Sequence, residues 1–372
     1  MTTQKPLLFP YAEWLQSESF LSPYCLAQSG MPLPAPELLG DLAGAEWLTY
    51  PAADALPRLE ARLAELFGVA AERIIVTPGA TGAMNLCSQR WFRAGSRVAV
   101  EIPGYQGLRA YPAHTGAEVA PLERRLADGW QIDPAQVNRL LEGATPGHVL
   151  LTNPHNPSGA VLPDGTLAQI AEAAERRGGV LVSGDVYMEY ATPEQRRHAA
   201  LEAPNAVSIG SLSKAHGLSP LRIGWLILGE GLVHERRTLM DLAHLNWLDL
   251  PSPSLVAGRK ALDHLPELLQ PVRVIEHESR PLLQAWLRDN PSFSAIDTPF
   301  GLLSFPRVRG VRDTAGLARH LAKNHGLDVV PGEFFGQRGH LRITCGVPAA
   351  TLEEGLRRLS AGVESWLAQP EK

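Results

Sequence analysis

An α/β fold with a mostly parallel sheet is predicted by three features of the sequence. From about Leu56, helix-like segments alternate with strand-like ones; the strand-like ones are short, nearly continuous apolar runs; and this rhythm changes after about Pro271. Strands that are apolar throughout are buried on both faces, as in parallel sheets covered by helices on either side. Residues 56–67 place Leu56, Leu59, Leu63 and Leu66 at helical spacing, and 73–77 read as a short strand. Helix 81–92, strands 97–102 and 148–152, and helix 167–177 follow, the last ended by Gly178-Gly179. Apolar runs at 180–183, 206–209 and 223–228 complete the expected sheet.

Beyond Pro271, a long helix (272–288) leads to strand 301–305, helix 314–324, strands 328–330 and 341–344, and a final helix 352–367. These are expected to form a smaller α+β domain (271–372) beside a large domain (46–270), with 1–45 as an N-terminal arm and part of the small domain. The 372 residues suffice for such an arrangement, and 45% hydrophobic with 20% charged residues is an ordinary globular composition.

A formal net charge of −5 without a long basic run argues against nucleic acid as a partner. The pairs Arg124-Arg125 and Arg236-Arg237 read as solvated helix faces. Cys25, Cys87 and Cys345 are an odd, widely spaced set, which suits neither a disulfide framework nor a zinc site and fits a reducing compartment. His-Glu-x-x-His is absent and no metal is expected. The first fifteen residues hold two prolines and Glu13, so no signal peptide is expected; no run reaches membrane-span length, and the cytoplasm is the expected location.

Four segments able to carry chemistry fall at expected strand ends. Ser211-Leu212-Ser213-Lys214 follows an apolar run, with Arg222 eight positions on in Arg222-Ile223-Gly224-Trp225. A lysine held in a pocket there is partly desolvated, which lowers its pKa and favours the neutral amine needed for imine formation. Lysine is scarce (Lys5, Lys214, Lys260, Lys323 and Lys372), so few residues compete for that role. Arg222 offers a fixed fork to a phosphate. Thr152-Asn153-Pro154-His155-Asn156-Pro157-Ser158-Gly159 fixes a turn that presents an Asn amide at the sheet edge. Gly79-Ala80-Thr81-Gly82, between strand and helix, offers free backbone N–H groups to an anion. Asp185 lies just past the 180–183 run, with Tyr187 beyond it. Each segment alone has an ordinary structural explanation. Ligands of open parallel sheets bind at the carboxyl ends of strands, and all four segments converge there.

In this order and context the motifs resemble those of the class I and II aminotransferases, the fold-type-I enzymes of pyridoxal 5'-phosphate (PLP). The resemblance runs over nearly the whole chain. Its most specific elements are Ser211-x-Ser213-Lys214 with Arg222 and Gly224-Trp225, and the Asn-Pro-x-Asn-Pro-Ser-Gly turn. It implies PLP as cofactor, carried by Lys214 as a Schiff base. Ser211, Ser213 and Arg222, with the backbone of Gly79, Ala80 and Thr81, would surround the phosphate. Asn156 and Tyr187 would bond the phenolic oxygen, and Asp185 would pair with the ring nitrogen, keeping it protonated so that the ring accepts electrons. Lys214, Asp185 and Tyr187 form the implied catalytic set. Tyr105, in Pro103-Gly104-Tyr105, resembles the residue stacked on the ring, with an ordinary core tyrosine as the competing explanation. Arg342 looks like the clamp on the substrate carboxylate, with Asn156 and Gly30 as further substrate contacts. Tyr50 resembles the tyrosine that reaches the phosphate of a neighbouring subunit, which implies a homodimer with shared sites.

The sequence also departs from the family pattern. The family places its tyrosine three residues after the ring-nitrogen aspartate, whereas Tyr187 follows Asp185 by two; an ungapped comparison sets Gly184 at the aspartate position. Either Asp185 takes the role, which is the expectation because no other carboxylate lies near that strand end, or the ring is a weaker electron acceptor. Ala80 replaces a hydroxyl residue, and Leu218-Ser219-Pro220 replaces the usual Pro-Gly before the phosphate arginine.

Transamination between an amino acid and a 2-oxo acid is the expected reaction. The alternative is β- or γ-elimination, replacement or cyclisation of a modified amino acid such as a hydroxyarginine. The stretch from Tyr11 to Ser29-Gly30 is loosely similar to the arm of capreomycidine-synthase-like members, and an aromatic arm packed on a dimer explains it equally well. A non-catalytic PLP-binding regulator is less favoured, given the net charge and the presence of Lys214, Asn156 and Arg342.

Overall fold

Apolar runs that expose neither face need a layer on each side, and the computed structural model, which describes residues 9–11, 14, 22–35, 38 and 54–369, supplies both. A two-residue strand β1 (Tyr24–Cys25) precedes the central sheet. The sheet comprises β2 (Ile74–Pro78), β3 (Arg97–Ile102), β4 (Glu118–Glu123), β5 (Gly147–Thr152), β6 (Leu181–Gly184), β7 (Ala206–Ser211) and β8 (Ile223–Leu228). Their spatial order is β2-β8-β7-β6-β5-β3-β4, and all run parallel except β8, which is antiparallel to both neighbours. The predicted strands are found within a few residues. The addition is β4, an edge strand whose exposed positions and Pro121 hide it; only an edge tolerates the missing N–H.

Helices α1 (Ala55–Phe67), α2 (Gly79–Arg90), α3 (Gln106–His114), α4 (Pro134–Leu140), α5 (Thr166–Glu175) and α6 (Ala199–Glu202) alternate with these strands, and α7 (Arg236–Trp247) and α8 (Ser252–Asp263) follow β8. Strand side chains divide by the period of two. Val100, Leu150, Val182 and Ile209 pack with Met84 and Leu86 of α2 and Leu239 of α7. On the other face, Val149, Leu151 and Leu181 pack with Val137 of α4 and Ile170 of α5. Ile74, Val76 and Trp225 meet Leu59 and Leu63 of α1 and Leu255 of α8 there.

The remainder of the chain holds α9 (Leu265–His277), α10 (Ser279–Asp289), β9 (Phe293–Ser294), β10 (Leu303–Ser304), β11 (Arg307–Val308), α11 (Thr314–His325), β12 (Leu327–Asp328), β13 (Val330–Pro331), β14 (Leu341–Thr344) and α12 (Ala349–Leu367). The single helix expected at 272–288 is two helices that part at Glu278, because the ring of Pro281 conflicts with a continuous ladder to residue 277. The strand expected at 328–330 is likewise two: Leu327–Asp328 pairs with Tyr24–Cys25, and Val330–Pro331 pairs with β14. Nor is Arg124 a solvated helix residue: it is fully buried against Glu101.

Candidate active site

The carboxyl ends of β2, β3, β5, β6 and β7 open on one cavity of about 220 Å³. Because β8 is antiparallel, its beginning lies at that same edge, which brings Arg222 to the ends of strands running the other way. Gly79, Ala80 and Thr81 open α2 directly after β2, so their N–H groups are unpaired within the helix and lie at the positive end of its dipole, and Ala80 and Thr81 line the cavity. Of the sequence-predicted residues, Ala80, Thr81, Tyr105, Asn156, Tyr187, Ser211, Ser213, Lys214, Arg222 and Arg342 all line it. A larger open groove of about 720 Å³ between Arg125 and Arg338 contains none of them.

Lys214 lies three residues past β7. Its Nζ donates to Ser29 Oγ at 3.0 Å and stands 5.7 Å from the centre of the Tyr187 ring. Burial pushes its pKa down to about 8; Tyr11 opposes the shift, while Arg342 and Arg222 add to it by charge repulsion. A neutral amine is therefore accessible near physiological pH.

Gly79 and Arg222 are matched in shape. Gly79 has φ +74, and a β-carbon there would stand 2.4 Å from Arg222 Nη2. Gly224 brings β8 equally close, since its β-carbon would lie 2.6 Å from the Ala80 nitrogen. Two glycines thus let a guanidinium and a helix N-terminus meet at one point, a cradle for a dianionic phosphate.

Arg342, on β14, is almost wholly buried yet has no carboxylate partner among the described residues. Its Nη1 donates to Asn156 Oδ1 (3.3 Å), and Nη2 donates to Tyr11 Oη (2.9 Å) and the Ala27 carbonyl (3.0 Å). Phe335 and Tyr11 flank the guanidinium at 5.2 and 5.7 Å. Asn156 is held by its own N–H, which donates to Thr152 Oγ1. Thr152 is held in turn by the Glu101 carboxylate, which also binds buried Arg124 at 2.7 Å. Burial pushes the Tyr187 hydroxyl pKa up; Ser29 lies close by, but the hydroxyl has no partner of hydrogen-bond geometry. Tyr105 stands edge-on to Tyr11 with ring centres 6.1 Å apart.

Asp185 is not brought into the cavity, and the expectation that it meets the ring nitrogen is corrected. Its carboxylate points to the opposite face of the sheet. There it accepts from the Ser183 hydroxyl and the Ala199 N–H and lies 3.5 Å from His198 Nδ1. Strand alternation is the cause: Gly184 faces the cavity, so its successor turns away. Gly30 is also set back; its backbone packs against Ser213 and Lys214, while neighbouring Ser29 reaches the cavity. Tyr50 lies outside the described residues. Sequence reasoning missed Ser29 and Tyr11 as site residues, although both stand in the N-terminal stretch it singled out.

These residues fit PLP at two ends. The glycine-lined cradle and Arg222 match its phosphate, and the orphaned Tyr187 hydroxyl beside Lys214 offers a donor to a ring oxygen. The family model for aminotransferase class I and II matches residues 27–359. The chain is 30% identical to arginine–pyruvate transaminase AruH of Pseudomonas aeruginosa over 314 residues, 81% of this chain and 77% of that one. It is 29% identical to capreomycidine synthase of Streptomyces vinaceus over 297 residues, 77% and 73% of the two chains. A PLP-dependent aminotransferase from Streptococcus suis superposes with a TM-score of 0.84 at 25% identity, over 100% of both chains. An aspartate aminotransferase of Thermus thermophilus gives a TM-score of 0.81 over 95% of each chain at 21% identity, a likeness of fold. With a lysine, a phosphate cradle and a buried arginine gathered at one sheet edge, and a family match over most of its length, this chain belongs to the class I and II aminotransferases, fold-type-I enzymes whose cofactor is PLP.

Proposed function

We propose that the protein moves an amino group between an amino acid and a 2-oxo acid, with Lys214 as the covalent anchor of PLP. The observation that carries this reading is the buried Arg342, which has no carboxylate partner among the described residues, lining the same cavity as a lysine of lowered pKa. An unpaired buried cation is costly, and a carboxylate ligand relieves that cost. Bound PLP supplies an aldehyde that condenses with amines and a ring that accepts electrons. The protein does the rest. The Arg342 fork, steadied by Asn156 and Tyr11, fixes the substrate carboxylate and so the direction of the α-carbon. Lys214 Nζ, once free of the cofactor, would take the proton from that α-carbon. Gly79, Ala80, Thr81, Ser211, Ser213 and Arg222 would hold the phosphate, Tyr105 would stack on the ring, and Asn156 and Tyr187 would bond its phenolic oxygen. Tyr50 supports a two-fold homodimer with shared sites, by resemblance, and the three free cysteines support a cytoplasmic location.

A second reading, elimination or cyclisation, draws on the similarity to capreomycidine synthase. The test is a panel of amino acids, arginine first because a relative's name carries it, each with and without pyruvate or 2-oxoglutarate, with Lys214→Ala as control. No carboxylate lines the described cavity to meet a guanidinium, so neutral amino acids belong in the panel. A new amino acid formed from the oxo acid establishes transamination. Ammonia or a cyclised product without acceptor turnover establishes the second reading. A wild type that binds no more PLP than Lys214→Ala sinks both.

A further inference from the structure

We propose that this protein holds the ring nitrogen of PLP in its neutral, unprotonated form, and that Gly184 is the residue that decides it. The inference rests on the reading that PLP occupies the cavity between Arg222 and Arg342.

The floor of that cavity is built by three residues abreast in the sheet. Thr152 and Gly184, at the ends of β5 and β6, and Ile209, two residues before the end of β7, are register partners, and all three line the cavity. A ring with its phosphate at Gly79 and Arg222 and its reactive carbon at Lys214 would turn its nitrogen edge towards this floor. Nothing there offers an anion. Thr152 Oγ1 is already engaged, donating to Glu101 and accepting from the Asn156 N–H. Ile209 is apolar, and Gly184 has no side chain. Asp185, the one carboxylate near in sequence, is turned through the strand, and both its oxygens are engaged there by the Ser183 hydroxyl and the Ala199 N–H.

The charges facing the cavity point the same way. Arg222 and Arg342 are cations, its ionisable hydroxyls belong to Tyr11, Tyr105, Tyr111 and Tyr187, and no described lining residue is acidic. A pyridinium in such surroundings is disfavoured both by desolvation and by like charge. A carboxylate within about 4–6 Å would reverse this, favouring the protonated form by about 1–3 pK units. A neutral ring withdraws fewer electrons, so charge developing at the substrate α-carbon is stabilised less, and more of the burden falls on Arg342 and Lys214.

The site has room for the missing group. A β-carbon on Gly184 would lie 3.1 Å from Thr152 Cγ2 and 3.7 Å from the Leu151 carbonyl, and the backbone is not left-handed. Movement of Thr152 by a few tenths of an ångström admits an aspartate whose carboxylate enters the cavity.

The test is nitrogen-15 NMR of the enzyme loaded with PLP labelled in its ring, with the free cofactor titrated to give the neutral and protonated limits. The wild-type resonance is expected at the neutral limit at neutral pH, unchanged in Asp185→Asn and moved towards the protonated limit in Gly184→Asp. Gly184→Asp is also expected to speed the first half-reaction by about tenfold or more. A wild-type resonance at the protonated limit overturns the inference while leaving the site assignment standing. Absence of a protein-bound resonance overturns both. The wild-type spectrum decides the matter even if Gly184→Asp does not fold.

Discussion

Gly79 and Arg222 occupy complementary space: a β-carbon on residue 79 would stand 2.4 Å from Arg222 Nη2, at a backbone position with φ +74. Gly79→Ala therefore meets two costs, about 1–2 kcal/mol for the left-handed backbone and a collision that displaces the guanidinium. Gly68 is the control, since its φ is +64 and nothing lies within 4 Å of an added β-carbon. Gly68→Ala is expected to lower the melting temperature only. Gly79→Ala is expected to lower it and also to weaken PLP binding about tenfold or more, as read by titrating the apoprotein with PLP.

The lowered pKa of Lys214 has a sign that experiment can check. Burial destabilises its ammonium in the folded chain, so the unfolded chain holds that proton more firmly between about pH 8 and the ordinary lysine value of 10.5. Where the unfolded state binds more protons, stability rises with pH. Apoprotein stability, taken as wild type minus Lys214→Met, is expected to climb across that window and to be flat below it. The rate of PLP uptake is expected to rise with the free amine and to be half-maximal near pH 8.

Arg342 is held by three oxygens, and two of them, on Asn156 and Tyr11, belong to side chains. Arg342→Lys keeps the charge and loses the fork. KM for the amino acid is expected to rise about a hundredfold, with kcat falling far less. Tyr11→Phe removes one acceptor, and the expected rise in KM is about three- to tenfold. A change confined to kcat in both variants would show that the carboxylate binds elsewhere.

Strands buried on both faces were legible because their apolar runs leave little else to form, and Lys214 and Arg342 were legible through their motifs. The direction of β8 was not: Ile223–Leu228 reads the same whichever way it runs, yet its reversal is what carries Arg222 to the cavity. The facing of Asp185 was equally hidden, because strand side chains alternate and a one-residue offset moves a carboxylate to the other side of the sheet. Arg124 reads as solvated in the sequence because its partner is 23 residues away, in a mostly apolar strand.

That buried pair ties stability to the site. Glu101 and Arg124 are both fully buried and 2.7 Å apart. Glu101 also accepts from the Thr152 N–H and hydroxyl, Thr152 fixes Asn156, and Asn156 bonds Arg342. Glu101→Gln leaves the Arg124 guanidinium without a counter-charge, at an expected cost of about 3–5 kcal/mol, measured by denaturant unfolding. Glu101→Leu with Arg124→Met removes both charges and is expected to recover part of that stability. It leaves the Thr152 N–H and hydroxyl without their acceptor. The double variant is therefore expected to be more stable than Glu101→Gln yet raised in KM. Recovery of KM together with stability would show that Glu101 acts on the fold alone and not through Asn156 on the Arg342 clamp.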